Sequence, residues 1–395
     1  MSIAPATSTL ISPEDAGFAS LQAETAIRSI SARIIAAPTR RKHKLSNTSV
    51  NHQGYIFVEV TLENGVVGYG EGSTLGGPRW AEESVEAMKA NIDAYIAPAL
   101  IGHPACELER AAKLMAGACK RNNSAKSAVD MALLDATGKT LGVPAHVLLG
   151  GAQHQSFSAI WALASGDAAQ EVEEAQGMIE KGWFNRFKIK LGFADPATDL
   201  GRLAALQKAL PAGTDIIADV NQGWSEADCI RYLPRLEDLG VSLIEQPLPA
   251  DQMAGMARVA QRSAIPIMMD EGVFTPAEAF DGCAKAAGSV ISLKLCKHGG
   301  VHQLKQVAGI ARAAGVQLYG GCLLESSIGA SAHLHAFSTL PALEWGTEHF
   351  GPKILVEDLT REGLVYENFR VHLPEGPGLG ITPDPDRLDR YEIKD

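Results

Sequence analysis

The chain has 395 residues, of which 46% are hydrophobic and 21% are charged. This length predicts about two domains, and the composition excludes a disordered or fibrous protein. The net charge of −11 argues against a general nucleic-acid binder, which needs a basic surface, but leaves room for an anionic small substrate in a locally positive pocket.

The sequence contains no segment that is long and apolar enough to span a bilayer, and its first residues do not resemble a secretory signal. The six cysteines include no C-x-x-C pair, so neither a zinc site nor a disulfide framework is predicted. We therefore expect a cytoplasmic protein with reduced thiols and with no membrane or nucleic-acid partner.

The first part of the chain predicts an extension followed by an α+β domain. Residues 1–26 lack clear periodicity and predict a flexible N-terminal extension. Strand patterns begin near residue 27, with a hairpin turn signal at Asn64-Gly65. Three helical patterns follow, of which the clearest, 124–142, ends at Gly142. Strands followed by helices indicate an α+β domain over residues 27–148.

A regular alternation of short apolar strands and amphipathic helices covers residues 149–355, which indicates βαβ units and a parallel sheet. Eight strands predict a closed (β/α)₈ barrel. An open doubly wound sheet is the alternative, but no G-x-G-x-x-G turn follows any of these strands. Residues 356–395 contain another strand-like run, ENFRVHL, and are expected to pack back on the first domain. The predicted barrel strands are 158–164, 186–190, 215–220, 242–246, 265–270, 290–295, 316–320 and 342–346.

Charged residues lie at the ends of five successive predicted barrel strands, which is where such barrels carry their reactive groups. Lys188 and Lys190 end the second strand, and the alternation of a strand places both on its inward face. One residue ends each of the next three strands and another lies on the sixth, at spacings of 26, 25 and 24 residues: Asp219, Glu245, Asp270 and Lys294.

The three carboxylates would repel one another strongly in one barrel mouth, and a hard divalent cation such as Mg²⁺ or Mn²⁺ resolves that repulsion. A desolvated lysine near a cation has a lowered pKa and can act as a base. One such residue alone is commonly a helix cap or an ion-pair partner, whereas the set in register indicates function. The sequence therefore predicts proton transfer next to a metal-held carboxylate.

The motifs K-I-K, D-V-N, E-Q-P, D-E and K-x-x-K-x-G-G resemble those of the enolase superfamily, in its muconate lactonizing subgroup. Segments such as WALASGD, LLESSIG and WGTEHFGP are similar to the muconate cycloisomerase family, and the resemblance runs from about residue 32 to the C-terminus. It implies an α/β fold, a modified (β/α)₈ TIM-type barrel, with an α+β capping domain formed by the N-terminal block and the C-terminal segment.

The resemblance also implies roles for individual residues. The metal ligands would be Asp219, Glu245 and Asp270. The acid/base pair on opposite faces of the substrate would be Lys190 and Lys294, and Lys188 would help to neutralise the substrate carboxylate. Further residues near the substrate or the ligands would be Asn221, Glu271, Glu325, Lys297 and Trp80.

The implied activity is metal-dependent lactonization of cis,cis-muconate to muconolactone, in catechol breakdown, by an enzyme that is commonly a homo-oligomer and often an octamer. A tryptophan at position 80 resembles the chloromuconate relatives, and Gly272 stands where the family usually has Ser. Lys297, in contrast, favours the unchlorinated substrate. The alternatives are therefore a chloromuconate cycloisomerase, an N-acyl amino acid or dipeptide racemase-epimerase, and a non-catalytic binding protein on the same scaffold. The basic run 39–44 is either a solvated surface or an attractor of a dianionic substrate.

Overall fold

The helices and strands of the computed structural model, which describes residues 13–394, form two units that contact each other. The strands are β1 (Ile27–Lys44), β2 (Ser49–Leu62), β3 (Val67–Thr74), β4 (Ser156–Ser158), β5 (Ile160–Leu163), β6 (Arg186–Lys190), β7 (Asp215–Asp219), β8 (Leu243–Glu245), β9 (Ile267–Met269), β10 (Val290–Leu293), β11 (Gln317–Gly320), β12 (Tyr366–Glu367) and β13 (Arg370–His372). The helices are α1 (Pro13–Glu24), α2 (Val85–Asn91), α3 (Ala97–Leu100), α4 (Leu108–Ala118), α5 (Asn123–Leu141), α6 (Ala145–Leu148), α7 (Ala168–Glu180), α8 (Pro196–Ala209), α9 (Glu226–Asp238), α10 (Met253–Ala260), α11 (Pro276–Ala284), α12 (Leu295–His298), α13 (Val301–Ala313), α14 (Ser327–Ser338), α15 (Gly351–Ile354) and α16 (Pro385–Tyr391), with a π-helical turn at Ile92–Ile96. None of these helices is long and apolar enough to cross a membrane.

Part of the predicted N-terminal extension is a helix. Within the described residues, Pro13–Glu24 form α1, whereas residues 1–26 were expected to be flexible. A proline in the first turn followed by Ala, Leu, Gln and Glu favours a helix even without an apolar stripe. The side chain of Gln22 donates to Glu107 at 2.5 Å, which ties the end of α1 to the next unit. Residues 1–12 lie outside the described part.

The first unit, which we call the cap, is the antiparallel sheet β1-β2-β3 with α2, α3 and α5 packed against it, and with α4 and α6 packed on α5. The predicted hairpin is confirmed: β2 and β3 pair on either side of Asn64-Gly65, and Gly65 has a positive φ of 84°. Glycines alternate along β3 on the face toward α5. A Cβ at Gly70 would lie 1.9 Å from the carbonyl oxygen of Ala128, so only glycine lets the helix backbone approach the sheet so closely.

The second unit is a seven-stranded parallel sheet in the order β5 to β11, each strand next to its neighbour in sequence, with helices outside. The prediction of an eighth strand over residues 342–346 is wrong, because these residues form no strand. Gly346 has a φ of 73°, which interrupts an extended chain there. The next residue, Thr347, forms parallel bridges to Ala159 beside β5 and to Gly320 in β11. The curled sheet is therefore closed by one residue instead of a full strand.

The C-terminal segment contacts both units. The run ENFRVHL, predicted as one strand, is the hairpin β12-β13, because Asn368 and Phe369 turn the chain with φ values of 51° and 61°. This hairpin pairs with β4 and not with the cap. The residues after α16 do reach the cap, where the backbone N–H of Ile393 donates to the carbonyl of Ile34 in β1 at 2.9 Å.

A buried carboxylate of the cap closes the start of a barrel helix. Asp130, in the middle of α5, accepts a hydrogen bond from the backbone N–H of Val301, the first residue of α13, at 2.8 Å. Burial raises the pKa of Asp130 from the ordinary value of 3.8 to about 6, against the opposing effect of the Val301 N–H. The raised pKa means that ionisation of Asp130 opposes folding.

We expect Asp130→Asn to show this as a pH-dependent gain in stability. The pKa of Asp130 is higher in the folded protein than in the unfolded chain. The free energy of unfolding of the wild type therefore falls by about 3 kcal/mol as the pH rises from about 4 to about 6, whereas the variant with asparagine shows no such fall. Urea unfolding at pH 4 and pH 7.5 would measure the difference between variant and wild type. The control is Asp238→Asn, at an exposed residue of α9. A difference for Asp130→Asn that is the same at both pH values would contradict this account.

Candidate active site

Five predicted residues meet at the C-terminal ends of the barrel strands. In the sheet register Lys190 of β6 lies beside Asp219 of β7, and Asp219 beside Glu245 of β8. Asp270 directly follows β9 and Lys294 directly follows β10. None of the five is more than 6% exposed. The equal spacing of these residues along the sequence therefore places them in one buried cluster.

On one side of this cluster Lys190 contacts the first carboxylate. Its Nζ lies 2.5 Å from Asp219 Oδ2 and 3.0 Å from Asn221 Oδ1. Asn221 also donates from Nδ2 to Glu271 Oε1 at 3.0 Å. Burial, and after it the charge of Asp270, raise the pKa of Glu271 to about 7. Asn221 therefore joins the Lys190 ammonium to a second carboxyl group behind the cluster.

On the opposite side Asp270 is held by two lysines. Lys294 forms an ion pair with its Oδ2, and Lys297 Nζ lies 2.9 Å from its Oδ1. Lys297 also donates to the carbonyl oxygens of Asp270 and Ser292. Burial would raise the pKa of Asp270, but the two ammonium groups outweigh it and hold that pKa well below its ordinary value. Asp270 is thus ionised and its position is set by both lysines.

Lys188 lies beneath the cluster and contacts a residue to which the sequence had assigned no role. Its ammonium forms ion pairs with Glu245 and with Glu348, and it lies 4.7 Å from the ring centroid of Tyr319. Glu348 also accepts hydrogen bonds from the Tyr319 hydroxyl at 2.8 Å and from the Cys322 N–H at 3.0 Å. The segment WGTEHFGP was the available signal, since Glu348 lies within it.

Both outer lysines carry a raised pKa in this arrangement, whereas the sequence predicted a lowered one. Burial lowers the pKa of Lys190, but the charges of Asp219, Glu245 and Glu348 together outweigh it. Burial also lowers the pKa of Lys294, and Asp270, Glu245 and the other nearby carboxylates together raise it. The carboxylates therefore keep both lysines protonated, and a cation bound among the carboxylates would weaken this effect.

The side chains of the carboxylate cluster are of the kind that binds a divalent metal ion. Glu245 is 1% exposed, and its Oε2, although it lies against the Lys188 ammonium, accepts no hydrogen bond of normal geometry. Burial and the adjacent Asp219 raise the pKa of Glu245 well above its ordinary value. Three carboxylate side chains within one buried site supply the oxygen ligands that hard cations prefer, and a cation would relieve their repulsion.

Glu325 lies apart from the lysines, among histidines. Its carboxylate accepts from the backbone N–H of Leu323 at 2.9 Å and lies 3.8 Å from His349 Nε2. Together with Cys296 and His333 it could surround an ion. However, both ring nitrogens of His333 already have backbone partners, at 2.8 Å each, so this group offers no free imidazole ligand.

The cap covers this site with an aromatic side chain. Trp80 is 9% exposed, and its ring lies 4.5 Å from Lys294 Nζ and 5.8 Å from the ring of Phe274. A cation over an indole face is stabilised electrostatically. Within the basic run at the end of β1, His43 is buried. Burial and the charge of Arg41 lower the pKa of His43, and the charges of Lys190 and Lys188 lower it further. Trp80 thus contacts a lysine at the barrel mouth, and His43 of the basic run lies near two others.

Comparisons with protein families cover nearly the whole chain. Residues 29–150 match the N-terminal domain of the mandelate racemase/muconate lactonizing enzyme family. Residues 170–387 match the enolase C-terminal domain-like family. The two matched ranges correspond to the cap and to most of the barrel with the C-terminal segment.

Curated relatives are similar over most of their own length. A chloromuconate cycloisomerase of Cupriavidus necator is 42% identical over 365 residues, which are 92% of this chain and 98% of that protein. Muconate cycloisomerase 1 of Pseudomonas putida is 44% identical over 352 residues, which are 89% of this chain and 94% of that protein.

Solved structures show the same fold. The muconate lactonizing enzyme from Pseudomonas fluorescens complexed with muconolactone has a TM-score of 0.92 and 40% identity, covering 94% of this chain and 100% of that one. The 2-chloromuconate cycloisomerase from Rhodococcus opacus has a TM-score of 0.91 and 35% identity, again covering 94% and 100%. Enzymes of this kind use a divalent metal ion. The chain therefore belongs to the mandelate racemase/muconate lactonizing enzyme family of the enolase superfamily.

Proposed function

We propose that the protein is a muconate cycloisomerase that converts cis,cis-muconate to muconolactone. The observation that carries this proposal is the buried cluster in which Lys190 and Lys294 pair with two different carboxylates of a candidate metal site. The resemblance to named muconate and chloromuconate cycloisomerases supports the substrate class.

Asp219, Glu245 and Asp270 would hold Mg²⁺ or Mn²⁺. The ion would act as a Lewis acid toward one substrate carboxylate, which makes negative charge at the adjacent carbon easier to form. The lysines supply the remaining charge compensation. Lys188, which is fully buried beneath the carboxylates, adds positive charge under the site without contact with solvent.

In the proposed reaction one carboxylate oxygen of the substrate forms a bond to the carbon β to the other carboxylate, which belongs to the double bond conjugated with that other carboxylate. The π electron pair of that double bond moves to the carbon next to the other carboxylate, and a lysine ammonium delivers its proton to that carbon. Lys190 or Lys294 would carry this proton. Trp80 and the cap close the mouth and exclude water, which strengthens the attraction between these charges and the dianionic substrate.

Two other activities remain as candidates because particular residues favour them. The Trp80 indole, which contacts Lys294, is the feature similar to chloromuconate relatives, so a chlorinated substrate is the first alternative. A lysine on each side of the cluster also suits proton exchange at one carbon of an N-acyl amino acid or dipeptide. These substrates are assayed if muconate is not consumed.

The decisive assay follows the ultraviolet absorbance of cis,cis-muconate with purified protein and Mn²⁺. We expect rapid loss of absorbance that EDTA abolishes and that added metal restores. The product formed in D₂O should carry one deuterium at the carbon that a lysine protonates, which NMR detects. Consumption that is unaffected by EDTA, or no consumption at all, would contradict the proposal and lead to chloromuconates and then to racemase substrates.

We further propose a homo-oligomer, with an octamer as the specific expectation, located in the cytoplasm. The six unpaired cysteines are compatible with a reducing compartment. Light scattering of the purified protein would measure the oligomeric state, and a mass of about 42 kDa (that of one chain, 41.8 kDa) would contradict it.

A further inference from the structure

A buried group of three charges lies directly behind the end of β6. Arg202 in α8 is 4% exposed and donates from Nε and Nη2 to the two oxygens of Glu171 in α7, at 3.1 and 2.6 Å. Its Nη1 donates to Asp199 Oδ1 at 2.9 Å. Glu171 and Asp199 are fully buried. Burying such charges costs free energy that their mutual attraction need not recover, so a gain in stability does not by itself explain this group.

The two carboxylates each hold one loop at the barrel mouth. Glu171 Oε1 accepts from the backbone N–H of Gly166, which follows β5, at 3.0 Å. Asp199 Oδ2 accepts from the backbone N–H of Gly192, which follows β6, at 2.7 Å. Arg202 therefore links the loops that leave two neighbouring strands, through carboxylates that its own guanidinium orients.

The same guanidinium also holds the backbone of Lys190. Arg202 Nη1 donates to the Lys190 carbonyl oxygen at 3.1 Å. The register between β5 and β6 ends with Leu163 beside Ile189, one residue before Lys190. The last peptide of β6 thus projects beyond its neighbour on that side, and Arg202 supplies the contact that the sheet does not.

We propose that Arg202 is a positioning residue for Lys190: it fixes the last peptide of β6 so that the Lys190 ammonium stays beside Asp219 and Asn221. The inference rests on the proposed role of Lys190 in proton transfer. A planar guanidinium suits this position because it reaches two carboxylates and one carbonyl at the same time, which a single ammonium cannot do. Lys294, on the opposite side, has no contact with this group.

The test compares Arg202→Met with Arg186→Met. Arg186 lies at the other end of the same strand, where it also pairs with a carboxylate, Asp215, and donates to the carbonyl of Trp345. We expect Arg202→Met to lower kcat on muconate by about 10²-fold with little change in KM, since a shift of about 1 Å at a reacting group has effects of this size. Arg186→Met should leave kcat near the wild-type value, and Arg202→Lys should fall between.

A second readout does not depend on the substrate. Brief acetylation with acetic anhydride in the presence of Mn²⁺, followed by mass spectrometry of peptides, gives the relative labelling of Lys190 and Lys294 in one sample. Arg202→Met should raise the Lys190 to Lys294 ratio several-fold, and Arg186→Met should not change it. If Arg202→Met does not fold, the double variant E171Q/R202M, which removes one buried charge of each sign, takes its place.

The outcomes separate this inference from the proposed function. If Arg202→Met leaves the Lys190 to Lys294 labelling ratio unchanged, the positioning role is overturned. This holds whether both lysines are labelled at the wild-type rate or both are labelled equally faster, because Arg202 then acts on general stability or not at all. A wild type that does not consume muconate overturns the proposed substrate, and the labelling ratio then decides the positioning role by itself.

Discussion

Asp270→Asn is expected to abolish metal binding and to lower activity by about 10³-fold or more, while the fold is retained. The substitution keeps the size of the side chain but removes a charge that contacts both Lys294 and Lys297. Without that carboxylate two buried ammonium groups face each other across the position of the missing ligand. A divalent cation would then meet fewer oxygen ligands and more positive charge, so its affinity falls sharply.

Titration with Mn²⁺, followed by electron paramagnetic resonance, measures the affinity directly, and circular dichroism checks the fold. The matched control is Asp281→Asn, which removes a carboxylate that also pairs with a lysine, Lys285, but at the surface. The control should bind metal and turn over substrate like the wild type. Wild-type Mn²⁺ affinity in Asp270→Asn would show that this cluster is not the metal site.

Lys190→Ala and Lys294→Ala are expected to differ in kind as well as in size. Burial favours loss of a proton from the Lys190 ammonium. The positive charge of Lys188, on the same strand face, acts in the same direction. Lys294 is also buried, but Asp270, with which it pairs, and the Trp80 ring, over which it lies, both favour its charged form. We therefore expect Lys190 to move the proton and Lys294 to stabilise negative charge.

Both substitutions should lower kcat by at least about 10²-fold, the usual contribution of a positioned acid or base. Exchange of the muconolactone proton with D₂O, followed by NMR, distinguishes them. Lys190→Ala should abolish exchange, whereas Lys294→Ala should slow it without abolishing it. The control is Lys285→Ala, at the exposed residue that directly follows α11. This variant should exchange the muconolactone proton at the wild-type rate. If Lys294→Ala abolishes exchange and Lys190→Ala does not, the two roles are reversed.

That the charged residues at the strand ends meet in one cluster could be predicted from the sequence, because the signal is local and repeats. Each βα unit returns the chain to the same end of the sheet, so residues 24 to 26 apart at strand ends meet in space. The period of a strand likewise put Lys188 and Lys190 on one face. The hairpin at Asn64-Gly65 and the end of α5 at Gly142 were predictable for the same reason, since each is determined by a few neighbouring residues.

Contacts between distant segments were decided only by the tertiary structure. The pairing of Lys188 with Glu348 joins residues 160 apart, and no local pattern relates them. The position of Trp80 over Lys294 depends on how the cap docks on the barrel. Closure of the sheet at Thr347 depends on the space that the two edge strands leave. By itself the sequence determined which residues share a strand face and a sheet end, because backbone geometry repeats with a fixed period. The tertiary structure decided which of those faces meet, because packing depends on the whole set of side chains at once.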